Sequence, residues 1–221
     1  MRAEEVLQRL GASRVIAVLT LPDPAHAEPI AHALAAGGVT AVELTLRTAT
    51  ALESLRRMRA ARPELLVGAG TVLTPAQVDQ AQRAGACYGV APGLNPRVLQ
   101  AARDSDFPFA PGVATPSDIE AALEWNCRTM KFFPAEPMGG LPYLRSAAAP
   151  YRHLGVRFIP LGGVTEETLA AYLKEPLVAA VGGSWLVPES VLASGDWADV
   201  EQRARRATAI AAAASRTPSA H

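Results

Sequence analysis

The sequence is poor in lysine, in cysteine and in long apolar runs. Only two of its 21 basic residues are lysines, Lys131 and Lys174, so nineteen are arginines. The two cysteines, Cys87 and Cys127, have no metal-ligand spacing, and we expect reduced, buried thiols. No apolar stretch approaches the roughly 20 residues of a membrane span. Residues 1–5 include two acids where an export signal needs an apolar run, so such a signal is not expected.

An excess of charge of either sign is also missing. The 221 residues carry 21 basic and 21 acidic side chains, and no basic block stands out. Nucleic acid and anionic membranes are therefore poor candidate partners. The length suits one barrel-sized domain or two small ones. We expect a cytoplasmic globular protein.

Apolar runs alternate with helical patterns along most of the chain. After a short helix at residues 3–10, eight strand–helix units follow, each about 20 to 30 residues long. The predicted strands are Arg14–Leu19, Ala41–Leu46, Leu65–Thr71, Cys87–Ala91, Phe107–Ala114, Thr129–Phe133, Arg157–Leu161 and Val178–Val181. A long helix is predicted to follow the last strand and to end at Ala214, leaving residues 215–221 as a disordered tail.

Eight such units predict a single-domain α/β fold, a (β/α)₈ TIM barrel spanning residues 1–214. A doubly wound open sheet is the alternative. The barrel makes a geometric demand, because functional groups should then lie at the C-terminal ends of the strands.

The sixth predicted strand holds an unusual lysine. Side chains alternate between the two faces of a strand, so Lys131 shares a face with Thr129 and Phe133. Lysine is rarely buried without a partner. A chain that uses arginine almost everywhere else favours an amine here, because lysine can lose its proton and arginine cannot. The alternative is a lysine that extends to solvent at the open end of the strand.

Two charged side chains share a face of the second predicted strand. Glu43, Thr45 and Arg47 alternate with apolar residues that are expected to pack against helices, so Glu43 and Arg47 are expected to point into the barrel mouth. The alternative is an internal salt bridge that merely satisfies the two charges. The third strand ends in Val67-Gly68-Ala69-Gly70-Thr71, where the glycines are compatible with close backbone approach or with a turn, and Thr71 offers a hydroxyl group and backbone donors.

Paired glycines follow the seventh and eighth strands. Gly162-Gly163 and Gly182-Gly183 fall in the two loops that build the recurrent phosphate site of such barrels. Because glycine has no side chain, its backbone N–H groups can surround an anion, and Ser184 adds a hydroxyl donor. The histidines carry less information, and all four are interpreted as surface or structural residues: His26, His32, His153 and His221. No cluster resembles a zinc or iron site.

A buried amine beside a carboxylate predicts one kind of chemistry. A neutral Lys131 amine attacks a carbonyl and forms a Schiff base, which accepts electrons when a carbon–carbon bond breaks without a metal. Glu43 is placed to move the protons, and Arg47 suits a substrate carboxylate. With a phosphate site, these groups describe an aldolase for phosphorylated 2-keto acids.

Several blocks of sequence resemble one family. The chain is similar to the 2-keto-3-deoxy-6-phosphogluconate (KDPG) and 4-hydroxy-2-oxoglutarate aldolases, which are class I aldolases, from about Val15 to Pro188. The resemblance lies in Glu43-Leu-Thr-Leu-Arg47-Thr48, Val67-Gly-Ala-Gly-Thr71-Val-Leu, Lys131-Phe-Phe-Pro-Ala-Glu136, Gly162-Gly163-Val164 and Gly182-Gly-Ser184-Trp-Leu-Val-Pro188. The Lys131 and Ser184 blocks are the specific ones.

The resemblance implies cleavage of KDPG to pyruvate and glyceraldehyde 3-phosphate in the Entner–Doudoroff pathway, and activity on 4-hydroxy-2-oxoglutarate. It implies that Lys131 is the Schiff-base lysine and Glu43 the proton shuttle. It also implies that the pyruvyl carboxylate is held by Arg47 and Thr71 beside Pro92, and the phosphate by Gly162, Gly163 and Ser184. A cytoplasmic homotrimer with no cofactor and no metal is expected.

One position departs from the pattern. Many gluconate-type members carry threonine directly before the Gly-Gly of the seventh strand, where this chain has Leu161. The 6-phosphogalactonate epimer therefore stays open as the preferred substrate, although Arg47 and Ser184-Trp185-Leu186 favour the gluconate type. The residues are also compatible with a phosphate-binding barrel enzyme that forms no Schiff base, and with a non-catalytic sugar-phosphate binding protein.

Overall fold

The computed structural model describes residues 3–216 of the chain, in which parallel strands alternate with helices. The strands are β1 Val15–Leu19, β2 Ala41–Thr45, β3 Leu66–Gly70, β4 Gly89–Val90, β5 Phe109–Ala110, β6 Gly112–Val113, β7 Thr129–Phe132, β8 Arg157–Pro160 and β9 Val181–Gly183. The α-helices are α1 Ala3–Ala12, α2 Ala27–Ala36, α3 Ala51–Ala61, α4 Pro75–Arg83, α5 Pro96–Asp104, α6 Pro116–Glu124, α7 Gly140–Ala148, α8 Glu166–Leu173, α9 Glu189–Ser194 and α10 Trp197–Arg216. Short 3₁₀ helices span Pro24–His26 and Ala149–Leu154.

The strands close into a ring. One sheet has the order β5-β4-β3-β2-β1-β9 and the other the order β6-β7-β8. The chain itself joins β5 to β6 through Pro111. The last gap is closed by a parallel bridge between Phe158 and Val178, where the Ala179 amide donates to the Phe158 carbonyl at 2.9 Å. The (β/α)₈ barrel predicted from the sequence is therefore confirmed.

Three details differ from the sequence prediction. The fifth strand is split at Pro111, because proline has no N–H group to donate to a ladder. The predicted long C-terminal helix is two helices, α9 and α10, because Gly195 adopts a left-handed conformation (φ 68°) between them. Alanine-rich α10 continues through Arg216, beyond the predicted start of the tail, and residues 217–221 lie outside the described residues.

An outer core lies between the barrel and its helices. Val42 and Leu44 of β2 face outward and are fully buried in one cluster with Leu34 of α2 and Leu55 of α3. This arrangement leaves the alternate residues of β2 pointing into the barrel, as the strand period predicts.

An inner core fills the lower part of the barrel. Val6 and Leu10 of α1 pack there with Ile16 and Leu66, which lie near the N-terminal ends of their strands. Helix α1 thereby closes the bottom of the barrel, so the open end is the one at the C-terminal ends of the strands. Among residues 3–216, no helix combines the length and apolar character needed to cross a membrane.

Candidate active site

A cavity of about 1070 Å³ opens at the C-terminal ends of the strands. The side chains or backbones of all eight residues predicted from the sequence line it: Glu43, Arg47, Thr71, Pro92, Lys131, Gly162, Gly163 and Ser184. Within the described part of the chain, no group of three or more His, Cys, Asp or Glu side chains is arranged to hold a metal ion.

The deepest polar feature of the cavity is an ion pair between Lys131 and Glu43. The Lys131 ammonium group donates to Glu43 Oε1 at 2.8 Å, and the two side chains are only 6% and 3% exposed. The Phe133 ring faces the amine, with its centroid 5.2 Å from Nζ. The lysine is thus buried with a partner and does not extend to solvent, and the pair is shielded from bulk water.

Neighbouring strands make room for this pair. A Cβ atom at Gly70 would lie 2.3 Å from Glu43 Oε1, so only glycine at this position of β3 leaves space for the carboxylate. At Gly68, a Cβ atom would lie 2.4 Å from the ring of Tyr88. The two glycines of β3 therefore provide space for inward side chains rather than forming a turn.

Tyr88 forms the floor below Glu43. Its hydroxyl donates to the Val42 carbonyl at 2.9 Å. Burial, with a further contribution from the charges of Glu43 and Cys87, raises the pKa of Tyr88 well above its usual value. The phenol therefore stays protonated and keeps its hydrogen bond at neutral pH.

Arg47 lies at the mouth of the cavity, just beyond the C-terminal end of β2 and four residues after Glu43. Its side chain is exposed, and its guanidinium has no hydrogen-bond or ion-pair partner among residues 3–216. The alternative left open by the sequence was an internal salt bridge to Glu43, but Glu43 pairs with Lys131 instead. Arg47 is therefore free to bind an anion that enters the mouth.

The loop after β3 has an unusual backbone at Thr71. Its φ of 57° is left-handed, which is a rare conformation for a β-branched residue. In the neighbouring loop after β4, Pro92 packs its backbone against Gly112, where a Cβ atom would lie 2.2 Å from the Pro92 carbonyl carbon. Both residues line the same cavity as Lys131.

The loop after β8 requires glycine at two successive positions. Gly162 and Gly163 have φ values of 94° and 86°, and a Cβ atom at Gly163 would lie 2.7 Å from Cβ of Glu136. Neither glycine amide donates a hydrogen bond within the described chain, so both are available to an anion. The Glu136 amide donates to the Gly162 carbonyl at 2.9 Å, which ties this loop to the segment that follows Lys131.

A second hydrogen bond fixes the Glu136 side chain. The hydroxyl of buried Tyr172 donates to Glu136 Oε1 at 2.6 Å. Burial, and then this hydrogen bond, raise the pKa of Tyr172. The segment behind the glycine loop is therefore held by both its backbone and its side chain.

The loop after β9 contributes an unpartnered hydroxyl group. Ser184 is exposed to the cavity, and its Oγ has no hydrogen-bond partner among the described residues. The Trp185 ring covers Gly183, where a Cβ atom would lie 1.5 Å from the ring. Donors from the β8 and β9 loops thus line one side of the mouth.

Several cavity residues had no role in the sequence prediction. Thr20, just beyond β1, and Thr45 of β2 line the cavity, with their hydroxyl oxygens 2.8 Å apart. Strand alternation indicated the face of Thr45, but nothing in the sequence identified Thr20 as its neighbour. His26 also lines the cavity and packs against Trp197, with the ring centroids 5.2 Å apart. Leu161, by contrast, was singled out from the sequence; it gives the β8 side an apolar wall and is 4% exposed.

Comparisons with known proteins agree on one family. The family model described as KDPG and KHG aldolase matches residues 6–203. The 2-dehydro-3-deoxy-phosphogluconate aldolase of Pseudomonas aeruginosa is 45% identical over 195 residues, which cover 88% of each chain.

Two solved structures are similar along nearly their whole length. KDPG aldolase of Zymomonas mobilis ZM4, solved with 3-phosphoglycerate, is 41% identical with a TM-score of 0.86, covering 94% of this chain and 95% of that one. KDPG aldolase of Legionella pneumophila, with pyruvate captured at low pH as a covalent carbinolamine intermediate, is 36% identical. Its TM-score is also 0.86, and the match covers 93% of this chain and 97% of that one.

Proposed function

The chain belongs to the family of KDPG and KHG aldolases, and from that premise we propose that it cleaves 2-keto-3-deoxy-6-phosphogluconate to pyruvate and glyceraldehyde 3-phosphate. The observation that carries the proposal is the buried contact of 2.8 Å between Lys131 Nζ and Glu43 Oε1 at the base of the cavity. The free groups at the mouth, Arg47 and the loops after β8 and β9, are suited to the two negatively charged ends of this substrate.

The reaction begins with Lys131 as nucleophile. Glu43 accepts the ammonium proton, and the neutral amine attacks the C2 carbonyl to form a carbinolamine. Glu43 then returns a proton to the carbinolamine hydroxyl, which leaves as water, and the iminium forms. The related Legionella enzyme that holds pyruvate as a carbinolamine supports this step.

Cleavage then uses the iminium as an electron sink. Glu43 withdraws the proton of the C4 hydroxyl, the C3–C4 bond breaks, and its electron pair moves to the nitrogen to give an enamine. C4 becomes the aldehyde carbon of glyceraldehyde 3-phosphate. Glu43 then protonates C3, and water hydrolyses the pyruvyl iminium to release pyruvate and restore Lys131.

Two further sets of groups hold the ends of the substrate. Arg47 binds the carboxylate, with the hydroxyl group of Thr71 beside it and Pro92 as the adjacent wall. Gly162, Gly163 and Ser184 bind the phosphate through unpaired amides and a hydroxyl group. The related Zymomonas structure with 3-phosphoglycerate supports a site for a phosphorylated carboxylate.

The proposal includes a second, shorter substrate. The family description also names KHG aldolases, which act on 4-hydroxy-2-oxoglutarate. That molecule has no phosphate, so it uses Lys131 and Glu43 but gains nothing from the glycine loops. We therefore expect lower affinity for it, with the same covalent intermediate.

Borohydride reduction in the presence of pyruvate tests the mechanism. The chain has only two lysines, so intact mass and peptide mapping distinguish Lys131 from Lys174 without ambiguity. We expect one pyruvyl adduct, confined to Lys131, which persists in Lys174→Arg and is lost in Lys131→Arg. No adduct on folded wild-type protein in excess pyruvate would leave a phosphate-binding barrel of other chemistry.

The proposal also covers assembly and location. We propose a cytoplasmic homotrimer, on the strength of the family resemblance and of Leu73, a large apolar side chain 48% exposed on the loop after Thr71. Light scattering should give about three times the chain mass of 23.2 kDa. A single-chain mass at micromolar concentration would contradict this assembly.

A further inference from the structure

We infer that the hydroxyl pair of Thr20 and Thr45 binds the C4 hydroxyl group of the substrate and thereby selects the gluconate epimer at that carbon. The inference rests on the proposed function and adds a specificity-determining element to it. It arises from a contact that the proposed mechanism does not use, the 2.8 Å separation of the two hydroxyl oxygens.

Strand register places this pair directly above the proton-transfer group. Val18 of β1 is paired with Glu43 of β2, so Thr20 lies level with Thr45 two residues further along. Glu43 and Thr45 share the inward face of β2, and alternate residues on a strand lie roughly 7 Å apart. The hydroxyl pair therefore lies one pleat closer to the mouth than the Lys131–Glu43 pair.

The pair has unused hydrogen-bonding capacity. Two threonine hydroxyls carry two hydrogen atoms, and their mutual contact uses one of them. Neither hydroxyl has another hydrogen-bond partner in the described part of the chain, and Thr45 is only 5% exposed. One donor and several acceptor positions therefore remain for a ligand oxygen in the cavity.

The two ends of the substrate fix which atoms pass this pair. C2 is attached to Lys131 and the phosphate lies by Gly162, Gly163 and Ser184, so C3 to C5 cross the cavity between them. The C4 oxygen must contact Glu43, because Glu43 withdraws its proton. The residue next to Glu43 on the same face is Thr45, so this oxygen can accept a hydrogen bond from the threonine pair.

The cavity wall that Leu161 forms on the β8 side has no hydrogen-bonding group for the C4 hydroxyl of the opposite epimer. Leu161 covers Gly182, where a Cβ atom would lie 2.6 Å from Leu161 Cγ, and presents only methyl groups. With C2 and the phosphate held in place, inverting C4 exchanges its hydroxyl group and its hydrogen, so the hydroxyl no longer faces Thr45 and is left without a hydrogen-bond partner. We expect the wild-type protein to favour the gluconate epimer by at least about tenfold in kcat/KM, because an unpaired buried hydroxyl is costly.

The test measures stereochemistry together with covalent adduct formation. Pyruvate and glyceraldehyde 3-phosphate are condensed by the wild-type protein and by Thr20→Val and Thr45→Val, and the ratio of the two C4 epimers is read by NMR. We expect each valine variant to lower the epimer ratio several-fold while the borohydride adduct with pyruvate still forms. Thr45→Ser, which keeps a hydroxyl group, should retain the wild-type ratio.

Thr208→Val is the matched control. Thr208 lies on α10, away from the cavity, and its hydroxyl donates to the Gly37 carbonyl at 2.9 Å. Its replacement should leave the epimer ratio unchanged. An unchanged ratio in both cavity variants, with the adduct intact, would overturn the inference alone. Absence of the adduct in the wild-type protein would overturn the proposed function, and the inference with it.

Discussion

Lys131 donates a hydrogen bond of 2.8 Å to Glu43 across the barrel, from a position 88 residues away in the chain. The two groups are therefore in contact before any substrate enters. A buried pair of this kind leaves an uncompensated charge when one partner is removed. The pair thus contributes to the proposed chemistry and to the structure of the barrel interior.

Replacement of Glu43 by glutamine should strongly reduce turnover but keep the covalent adduct. The amide has a similar size but cannot move protons, so we expect kcat to fall by about 10² to 10⁴. Pyruvate should still be trapped on Lys131 by borohydride, at a lower rate. Steady-state cleavage and mass spectrometry measure the two effects.

Glu175→Gln is the control for that change. Glu175 is equally buried but pairs with Arg145 at 2.6 Å outside the cavity. It should keep kcat near the wild-type value even where thermal stability falls. A Glu43→Gln protein within tenfold of wild-type turnover would contradict the proton-shuttle role.

Arg47→Lys should weaken carboxylate binding despite retaining a positive charge. An ammonium group cannot make two parallel hydrogen bonds to a carboxylate, as a guanidinium can. We expect the KM for pyruvate in the condensation direction to rise by about tenfold or more, because hydrogen bonds to charged groups contribute roughly 1.5 to 3 kcal/mol. Arg57→Lys, at an exposed position of α3 where the arginine pairs with Glu53, should leave this KM unchanged.

Gly163→Ala should damage phosphate binding through close packing rather than through backbone strain alone. Gly163 and Gly85 have the same φ of 86°. A Cβ atom at Gly163 would lie 2.7 Å from Cβ of Glu136, whereas a Cβ atom at Gly85 would have no atom of the described residues within 4 Å. Gly85→Ala therefore measures the cost of the left-handed backbone alone.

We expect Gly163→Ala to raise the KM for the phosphorylated substrate at least several-fold and to affect the KM for 4-hydroxy-2-oxoglutarate much less. Gly85→Ala should lower the free energy of unfolding by about 1 kcal/mol and leave both KM values unchanged. Equal effects of Gly163→Ala on the two substrates would show that the loop does not bind phosphate.

Stability should fall at high pH through Cys127. Burial raises the pKa of its thiol to about 11 from the usual 9.0. The folded protein then holds this proton more tightly than the unfolded chain, so the stabilisation is complete below pH 9 and is lost as pH rises towards 11.

Between pH 8 and 11, this residue should lower the free energy of unfolding by about 2 kcal/mol, and Cys127→Ala should lack that component. Urea unfolding of both proteins at pH 8, 9.5 and 10.5 measures the difference between them. Parallel pH profiles for the two proteins would contradict the prediction.

The sequence predicted the barrel and the cavity positions of Lys131 and Glu43 for the same physical reason. Two-residue alternation reports which face of a strand is apolar, and the order of strand and helix reports the architecture. Alternation carries no information about distances across a closed barrel. The direct contact of Lys131 with Glu43, and so the unpaired state of Arg47, had to be seen in the structure.

Other features depended on neighbours that are remote in sequence. The glycines of β3 suggested a turn or close backbone approach, whereas Gly68 and Gly70 leave space for the side chains of Tyr88 and Glu43. Thr20 acquires its partner only through the pairing of β1 with β2. Gly195 interrupts the predicted C-terminal helix through a backbone conformation that residue type permits but does not require.

Because Val6 and Leu10 of α1 close the bottom of the barrel, the cavity within the described residues opens only at the C-terminal ends of the strands. In the proposed reaction we therefore expect the keto-acid end of the substrate to enter first, since Lys131 lies deeper than the loops after β8 and β9. After cleavage, the aldehyde lies above the pyruvyl group and blocks its exit. The last part to enter is the first to leave, so we expect an ordered release of products in which glyceraldehyde 3-phosphate departs before pyruvate.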